Sequence, residues 1–316
     1  MNNLRRIVVL MAVVSLLVGG FASVFASGNR ESDGSGGKIA IGMTTNDFND
    51  KWSSYLHDAV EEWAAEHQDE VEFTLSNSLS DINRQMGHVE DYITQGYDVI
   101  VIKAVDNSAA IPMVMKAKDA GIPVVAVNLP IDGADSYVGA DSVLDGENQM
   151  RRVVELLDGN GRVGIISGDP GSIGAIQRLE GNKNILAESP GIELVAEETG
   201  MWQRERGMAI MENWLQAGIE MDAVVCSNDE MAIGALLVLE AAGISDQYIV
   251  TGIDATPDAV ELVKDGRLDF TIFQDAQAQG YGAMEVALRI ARGEDYDAIN
   301  ILENLIVTIA NVSEYE

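Results

Sequence analysis

The sequence predicts an α/β protein of two similar doubly wound parallel-sheet lobes joined by a three-crossing hinge. Three observations predict it. Short apolar, β-branched runs alternate with helical stretches along nearly the whole chain, as expected for parallel strands covered on both faces. Polar loops follow those runs, above all Ser227-Asn228-Asp229-Glu230 and Gly252-Ile253-Asp254-Ala255, and the carboxyl ends of such strands are where open α/β sheets bind ligands. Setting aside the first 26 residues leaves about 290, enough for two domains.

The amino terminus has three parts. Arg5 and Arg6 form a positive start, residues 7–18 are apolar, and Val24-Phe25-Ala26 is a small-x-small cleavage site before Ser27. This pattern predicts a secretory signal peptide over 1–26, cleaved near Ala26, and a periplasmic location. The apolar run is shorter than the ~20 residues of a spanning helix. Residues 27–37 are rich in Gly and Ser and predict a flexible tether.

From there the elements follow in order. Strands are predicted at 38–43, 71–75, 99–102 and 124–127, with helices at 53–66, 82–95 and 109–120 between them. Leu56, Val60 and Trp63 mark the inner face of the first helix, and Gly121-Ile122-Pro123 separates the third helix from its strand. A second set begins after Asp141. Helices are predicted at 145–157, 173–186, 204–217, 231–242, 257–263 and 276–292, and strands at 162–166, 192–198, 223–225, 249–251, 269–273 and 305–309. The junctions fall near Asp141-Ser142, Gln274-Asp275 and residues 300–304. The expected lobes are therefore 38–141 plus 275–301, and 142–274 plus 302–316. Three crossings make a hinge, with a cleft at the strand ends.

The net charge of −31 argues against nucleic acid, anionic lipid and strongly anionic ligands as partners. The single cysteine, Cys226, has no partner for an internal disulfide, and its place after Ala223-Val224-Val225 predicts a buried strand end. No zinc cluster, EF-hand loop, nucleotide loop or nucleophile elbow is present in the sequence, so no cofactor, metal or catalytic residue is expected. His57, His67 and His88 have no ligand spacing and are expected at the surface.

The loops at 228–235 and 252–258, together with Ile272-Phe273-Gln274, Gly121-Ile122-Pro123-Val124-Val125 and Val138-Gly139-Ala140-Asp141, resemble the type I periplasmic sugar-binding proteins, the ribose/galactose-binding-like class that serves ABC importers. The resemblance covers about residue 38 onward. It implies the periplasmic binding protein type I fold, with a ligand held between the lobes by aromatic rings and by polar groups that bond its hydroxyls. Rings cover the apolar C–H faces of a sugar, and charged or amide groups satisfy its rim.

Carried over position by position, the resemblance implies ligand-binding roles for Phe48, Asn49 and Trp52 in the first loop and for Asn128 after the fourth strand. It implies the same for Asp141 at a hinge crossing, Arg178, the second-lobe aromatic Trp202, Asn228, Asp254 and Gln274. Several of these have plainer readings. Asn49 and Asn228 suit helix caps, Asp254 a turn before Pro257, and Asp141 a structural hinge residue. The chain also departs from the family. Asn128-Leu129-Pro130 stands where an Asp-Arg pair is common, and Ile176 takes the place of a second arginine, while Arg178 fits a neighbouring, more often structural position. Losing guanidinium donors weakens ribose in particular. Another aldose, a deoxy sugar or a linear or cyclic polyol fits as well. Lys51 and Lys103 could restore a donor or could form surface salt bridges.

The expected function is therefore capture of a small neutral carbohydrate or polyol by a monomer, for delivery to the membrane permease of an ABC importer. A ligand subunit for chemotaxis or sensing would use the same pocket. An exported glycoside hydrolase would need a carboxylate pair such as Asp141 and Asp254, with nothing else in the chain to support it.

Overall fold

A computed structural model describes residues 37–315. The expected signal peptide and all but the last residue of the tether lie outside the described residues. The chain alternates β1 (Ile39–Thr45), α1 (Lys51–Glu66), β2 (Val71–Asn77), α2 (Ile82–Gln95), β3 (Val99–Ile102), α3 (Asn107–Asp119), β4 (Val124–Asn128) and β5 (Ser136–Gly139). It continues with α4 (Ser142–Leu156), β6 (Gly161–Ser167), α5 (Ile173–Glu188), β7 (Ile192–Thr199), α6 (Arg204–Gln216), β8 (Ala223–Cys226), α7 (Asp229–Ala242), β9 (Ile249–Thr251), α8 (Pro257–Lys264), β10 (Phe270–Phe273), α9 (Ala276–Arg292), β11 (Ile299–Ile301) and β12 (Leu305–Thr308).

The strands form two six-stranded sheets. The first has the order β11-β5-β4-β3-β1-β2 and the second β12-β10-β9-β8-β6-β7. All pairings are parallel except β10–β12, which is antiparallel. The inner strands β3, β4 and β8 are buried along their whole length, which is why they read as unbroken apolar runs rather than alternating ones. Each sheet has core on both faces. In the first, Ile41, Leu56, Val60 and Trp63 lie with α9 on one face, and Ile100, Ile102, Met113 and Val114 lie on the other. In the second, Met231, Leu236 and Trp214 cover one face, and Met150, Val153 and Phe270 the other.

The elements fall close to the sequence expectation, with two kinds of difference. Helices α1, α3 and α4 begin two to three residues earlier than their apolar pattern suggests. Each start is fixed by an aspartate cap: Asp50 accepts from Ser53 N, Asp106 from Ala109 N, and Asp141 from Val143 N and Leu144 N. Caps set helix starts independently of apolar spacing. Strand β11 is only three residues long, too short for a period to register. Cys226 is fully buried at the end of β8, as expected. His57 corrects the expectation of surface histidines. It is buried, and its Nε2 lies 2.8 Å from Thr45 Oγ1. Burial, then the charge of Lys103, hold its pKa down to about 4.

Two features fix α4 within the second lobe. Helices α4 and α5 pack closely at Gly146, where an added Cβ would overlap the backbone of Arg178, so the glycine sets the height of that arginine. At the third crossing, Asn304 Nδ2 donates to both carboxylate oxygens of Asp145, at 3.0 and 2.9 Å.

Candidate functional site

The strand ends of the two sheets face each other, and the lobes meet there. Leu129, just after β4, approaches α5 so closely that a Cβ on Gly174 would lie 3.0 Å from its Cδ2. Along this line the backbone is unusual. Asn128 (φ 71°), Met201 (53°), Trp202 (65°), Asp254 (132°) and Ala255 (50°) all have positive φ without being glycine. Such conformations cost of order 1–3 kcal/mol each and gather where a site is held in place by its surroundings.

The second lobe supplies most of the polar groups. Asn228 caps α7, its Oδ1 accepting from Met231 N at 3.1 Å, while its Nδ2 donates to the Trp202 carbonyl at 3.2 Å. Both ends of this amide are thus engaged in holding the Trp202 turn. The indole of Trp202 lies over Gly168, where any Cβ would overlap the ring. The guanidinium carbon of Arg178 sits 5.7 Å from the same ring. Arg178 is buried; its Nη1 donates to the Ser227 carbonyl at 2.6 Å and its Nη2 to Gln274 Oε1. Its Nε and the Ser227 hydroxyl are buried without a partner among the described residues.

Asp254 ends the β9 segment beside them. Its backbone is pinned, N–H to the Ile272 carbonyl at 2.8 Å and C=O to Gln274 N at 3.3 Å. Its buried carboxylate makes no hydrogen bond among the described residues. Burial, then the charge of Asp229, push its pKa well above the usual carboxylate range, and the positive charge of Arg178 opposes that. Asp229 lies beneath, accepting from Thr271 Oγ1 at 2.6 Å and Thr256 N at 2.8 Å. Burial raises its pKa to about 6 against the pull of these bonds. It ties the 228–235 and 252–258 loops together rather than facing the cleft.

The first lobe and the hinge complete the walls. Trp52 is 7% exposed and donates its Nε1–H to the Gln274 carbonyl at 2.9 Å. Lys103, directly after β3, sits 5.8 Å from the Trp52 ring and donates to Asn46 Oδ1 at 3.0 Å. Asn128 donates to Gln279 Oε1 at 3.3 Å, and the Gln279 amide nitrogen is another buried group without a partner among the described residues. Phe48 is 42% exposed at the lip, its ring 5.0 Å from that of His57.

Of the residues expected from the sequence, Trp52, Asn128, Arg178, Trp202, Asn228, Asp254 and Gln274 are brought together here. Asn49 is exposed and turned back on Asp47, with both its backbone and side-chain nitrogens donating to Asp47 Oδ1. Asp141 is exposed and caps α4. Ile176 is 52% exposed, whereas Arg178, two residues on, is the arginine that faces Trp202 and Gln274. The surface salt-bridge reading of Lys103 is corrected, because the residue is buried. Asn46, Ser227 and Gln279 were missed as site residues, and Lys103 was left open between a donor and a surface ion pair. Lys103 alone left a signal, a charge placed directly after a wholly apolar strand.

Among the described residues the cleft walls carry buried donors without partners, Arg178 Nε, Ser227 Oγ and Gln279 Nε2, and a buried carboxylate, Asp254, that accepts no hydrogen bond. Arginine N–H groups only donate, a carboxyl group accepts whether or not it is ionised, and hydroxyls do both. A ligand edged with hydroxyls satisfies all of them.

The description "Periplasmic binding protein domain" matches residues 41–295. The chain is 36% identical to a putative rhizopine-binding protein of Rhizobium meliloti, over 95% of this chain and 98% of that one. It is 29% identical to a ribose import binding protein of Bacillus subtilis, over 85% of each. Among solved structures, an ABC transporter solute-binding protein from Bacillus halodurans with bound myo-inositol superposes with a TM-score of 0.86 at 42% identity, over 89% of this chain and 98% of that one. A Caulobacter myo-inositol-binding protein superposes with a TM-score of 0.82 at 26% identity, over 88% and 96%.

Proposed function

The chain belongs to the periplasmic binding protein family, and from that premise we propose that its cleft captures a neutral cyclic polyol of the inositol class for an ABC importer. It is a solute-binding protein for a monosaccharide or sugar alcohol, the class to which the ribose and the bound myo-inositol of two similar proteins belong. The choice of a cyclic polyol rests first on one observation. Among the described residues Arg178 Nε and Ser227 Oγ are buried without a partner; the Arg178 guanidinium lies 5.7 Å from the Trp202 ring, bonds the Gln274 side chain whose carbonyl holds Trp52, and is close enough to the buried Asp254 to act on its charge. A ring with hydroxyls around its whole edge pairs such groups and offers two flat faces to the indoles. The myo-inositol bound by the 42% identical structure supports the same choice.

The residues that would hold the ligand are Trp52, Trp202, Arg178, Asp254 and Gln274, with Asn128 and Phe48 at the edge. Asn228 acts through Trp202, whose turn it fixes. The lobes are 38–141 plus 275–301 and 142–274 plus 302–316, supported by which sheet each strand joins. Closure brings ligand bonds from both lobes together, so ligand shifts the population toward the closed form. The closed form, a periplasmic monomer freed of residues 1–26, then docks on the permease.

Isothermal titration of the purified chain with myo-inositol, xylitol, glycerol, D-ribose and D-allose tests this. Saturable binding, tightest for myo-inositol, is expected. Preference for an aldose would overturn the cyclic-polyol reading, and binding of none of the five would overturn the polyol and sugar reading altogether.

A further inference from the structure

We propose that Lys103 is a specificity-determining residue of the cleft, donating hydrogen bonds from the first lobe to ligand hydroxyls opposite Asp254 and Arg178. This rests on the polyol reading above and adds to it a residue that the sequence left open between a donor and a surface ion pair.

The argument begins with burial. Lys103 is 7% exposed, and lysine is almost never so buried unless paired. Among the described residues no carboxylate lies within ion-pair distance of it. Its one hydrogen-bond acceptor is the neutral amide oxygen of Asn46, at 3.0 Å. An ammonium carries three donors, so two remain unspent. Asn46 Oδ1 is itself crowded, receiving Thr45 Oγ1 at 3.2 Å and Ser53 Oγ at 3.4 Å as well. This acceptor orients the ammonium without neutralising it.

Position supplies the second strand of the argument. Lys103 follows the last residue of β3, and its N–H donates to the Thr44 carbonyl at 3.0 Å, so the base of the side chain is fixed to the sheet. The ammonium rests 5.8 Å from the Trp52 ring centroid. It feels Asp50 and Asp254, which favour its charge, and Arg178, which opposes it, while burial is the largest influence and lowers its pKa. Two of those three groups, Asp254 and Arg178, line the cleft from the second lobe. A buried cation with free donors, fixed over a ring and within electrostatic reach of a buried carboxylate, is completed by oxygen atoms of a ligand held between the lobes. Donors then reach the ligand from both lobes, Lys103 on one side and Arg178 on the other, and Asp254 supplies the acceptor.

The test uses the full chain, Lys103→Met and, as a second variant of polar character, Lys103→Gln. Each is titrated with myo-inositol and with mono-deoxy-inositols lacking one hydroxyl each. Loss of a charged donor should weaken myo-inositol binding by about 10- to 100-fold. At least one deoxy compound should bind the wild type at least about tenfold more weakly yet bind Lys103→Met within about twofold of its myo-inositol affinity, because the partner of the missing hydroxyl is already gone. Unchanged myo-inositol affinity in a folded variant would overturn the assignment. So would weaker binding in which every deletion costs the variant what it costs the wild type, since that is the mark of a structural role. Should Lys103→Met fail to fold, the same comparison with Lys103→Gln decides. A wild type that binds no inositol, sugar or linear polyol would instead overturn the underlying ligand reading, and the donor role with it.

Discussion

The indole Nε1 of Trp52 donates to the carbonyl oxygen of Gln274 at 2.9 Å, across 222 residues of sequence. The side chain of the same glutamine accepts from Arg178 Nη2. One hinge residue thus holds an aromatic of the first lobe through its backbone and an arginine of the second through its side chain. Trp52→Phe keeps a ring but leaves that buried carbonyl without its donor. The expected cost is about 1–3 kcal/mol of stability, read by urea unfolding, with weaker polyol binding alongside. An unchanged unfolding midpoint would show that the bond contributes nothing.

Asp254 offers an acceptor at the expense of burying a carboxylate near Asp229. Asp254→Asn removes the repulsion and half the accepting capacity in the same volume. The ligand-free protein should be as stable as the wild type or more so, while polyol affinity falls about 10- to 100-fold. Calorimetry and thermal melting check the two halves separately. Undiminished affinity would take Asp254 out of the site.

Gly168→Ala should strike the cleft without striking the core. The new methyl overlaps the Trp202 indole, and the ring, only partly buried, gives way rather than the sheet. Affinity should drop by about tenfold or more, as expected when an aromatic anchor leaves its place. The melting temperature of the ligand-free form should shift by only a few degrees. A large loss of stability with intact binding would reverse this assignment.

Asp145 makes stability depend on pH. Burial raises its pKa from 3.8 to about 6, although the charge of Arg178 and the bond from Asn304 pull it down. Between those values the native state holds a proton that the unfolded state has released, so stability falls as pH rises from about 4 to 6 and levels off above. The full effect is about 3 kcal/mol. Asp145→Asn cannot ionise, so its advantage over the wild type should be absent near pH 4, grow to pH 6 and stay constant beyond. Melting curves from pH 4 to 8 test it, and parallel profiles for the two proteins would refute it.

Much of this was legible in the chain because its signals are local. The fully apolar runs 99–102 and 124–127 are strands buried on both faces. The loops at 228 and 254 follow strands whose carboxyl ends can only face the cleft in a parallel sheet. What escaped was the direction of individual side chains. Asn228 and Asp254 occupy similar loop positions, yet the amide of Asn228 is spent on Met231 N and the Trp202 carbonyl while the carboxylate of Asp254 is left open. Arg178 and Ile176 lie two residues apart on α5, and only the packing of that helix against Gly146 decides that the arginine faces the cleft.

The sequence by itself determined the alternation of strand and helix, the two sets of them, and the strand-end residues from which a site could be drawn. Those follow from periodicity and from residues acting within a few positions of one another. Tertiary structure alone decided which of the candidates share one cleft, that Lys103 and His57 are buried, and which polar atoms remain unpaired. Those depend on distances between segments as far apart as Trp52 and Gln274, which no local pattern encodes.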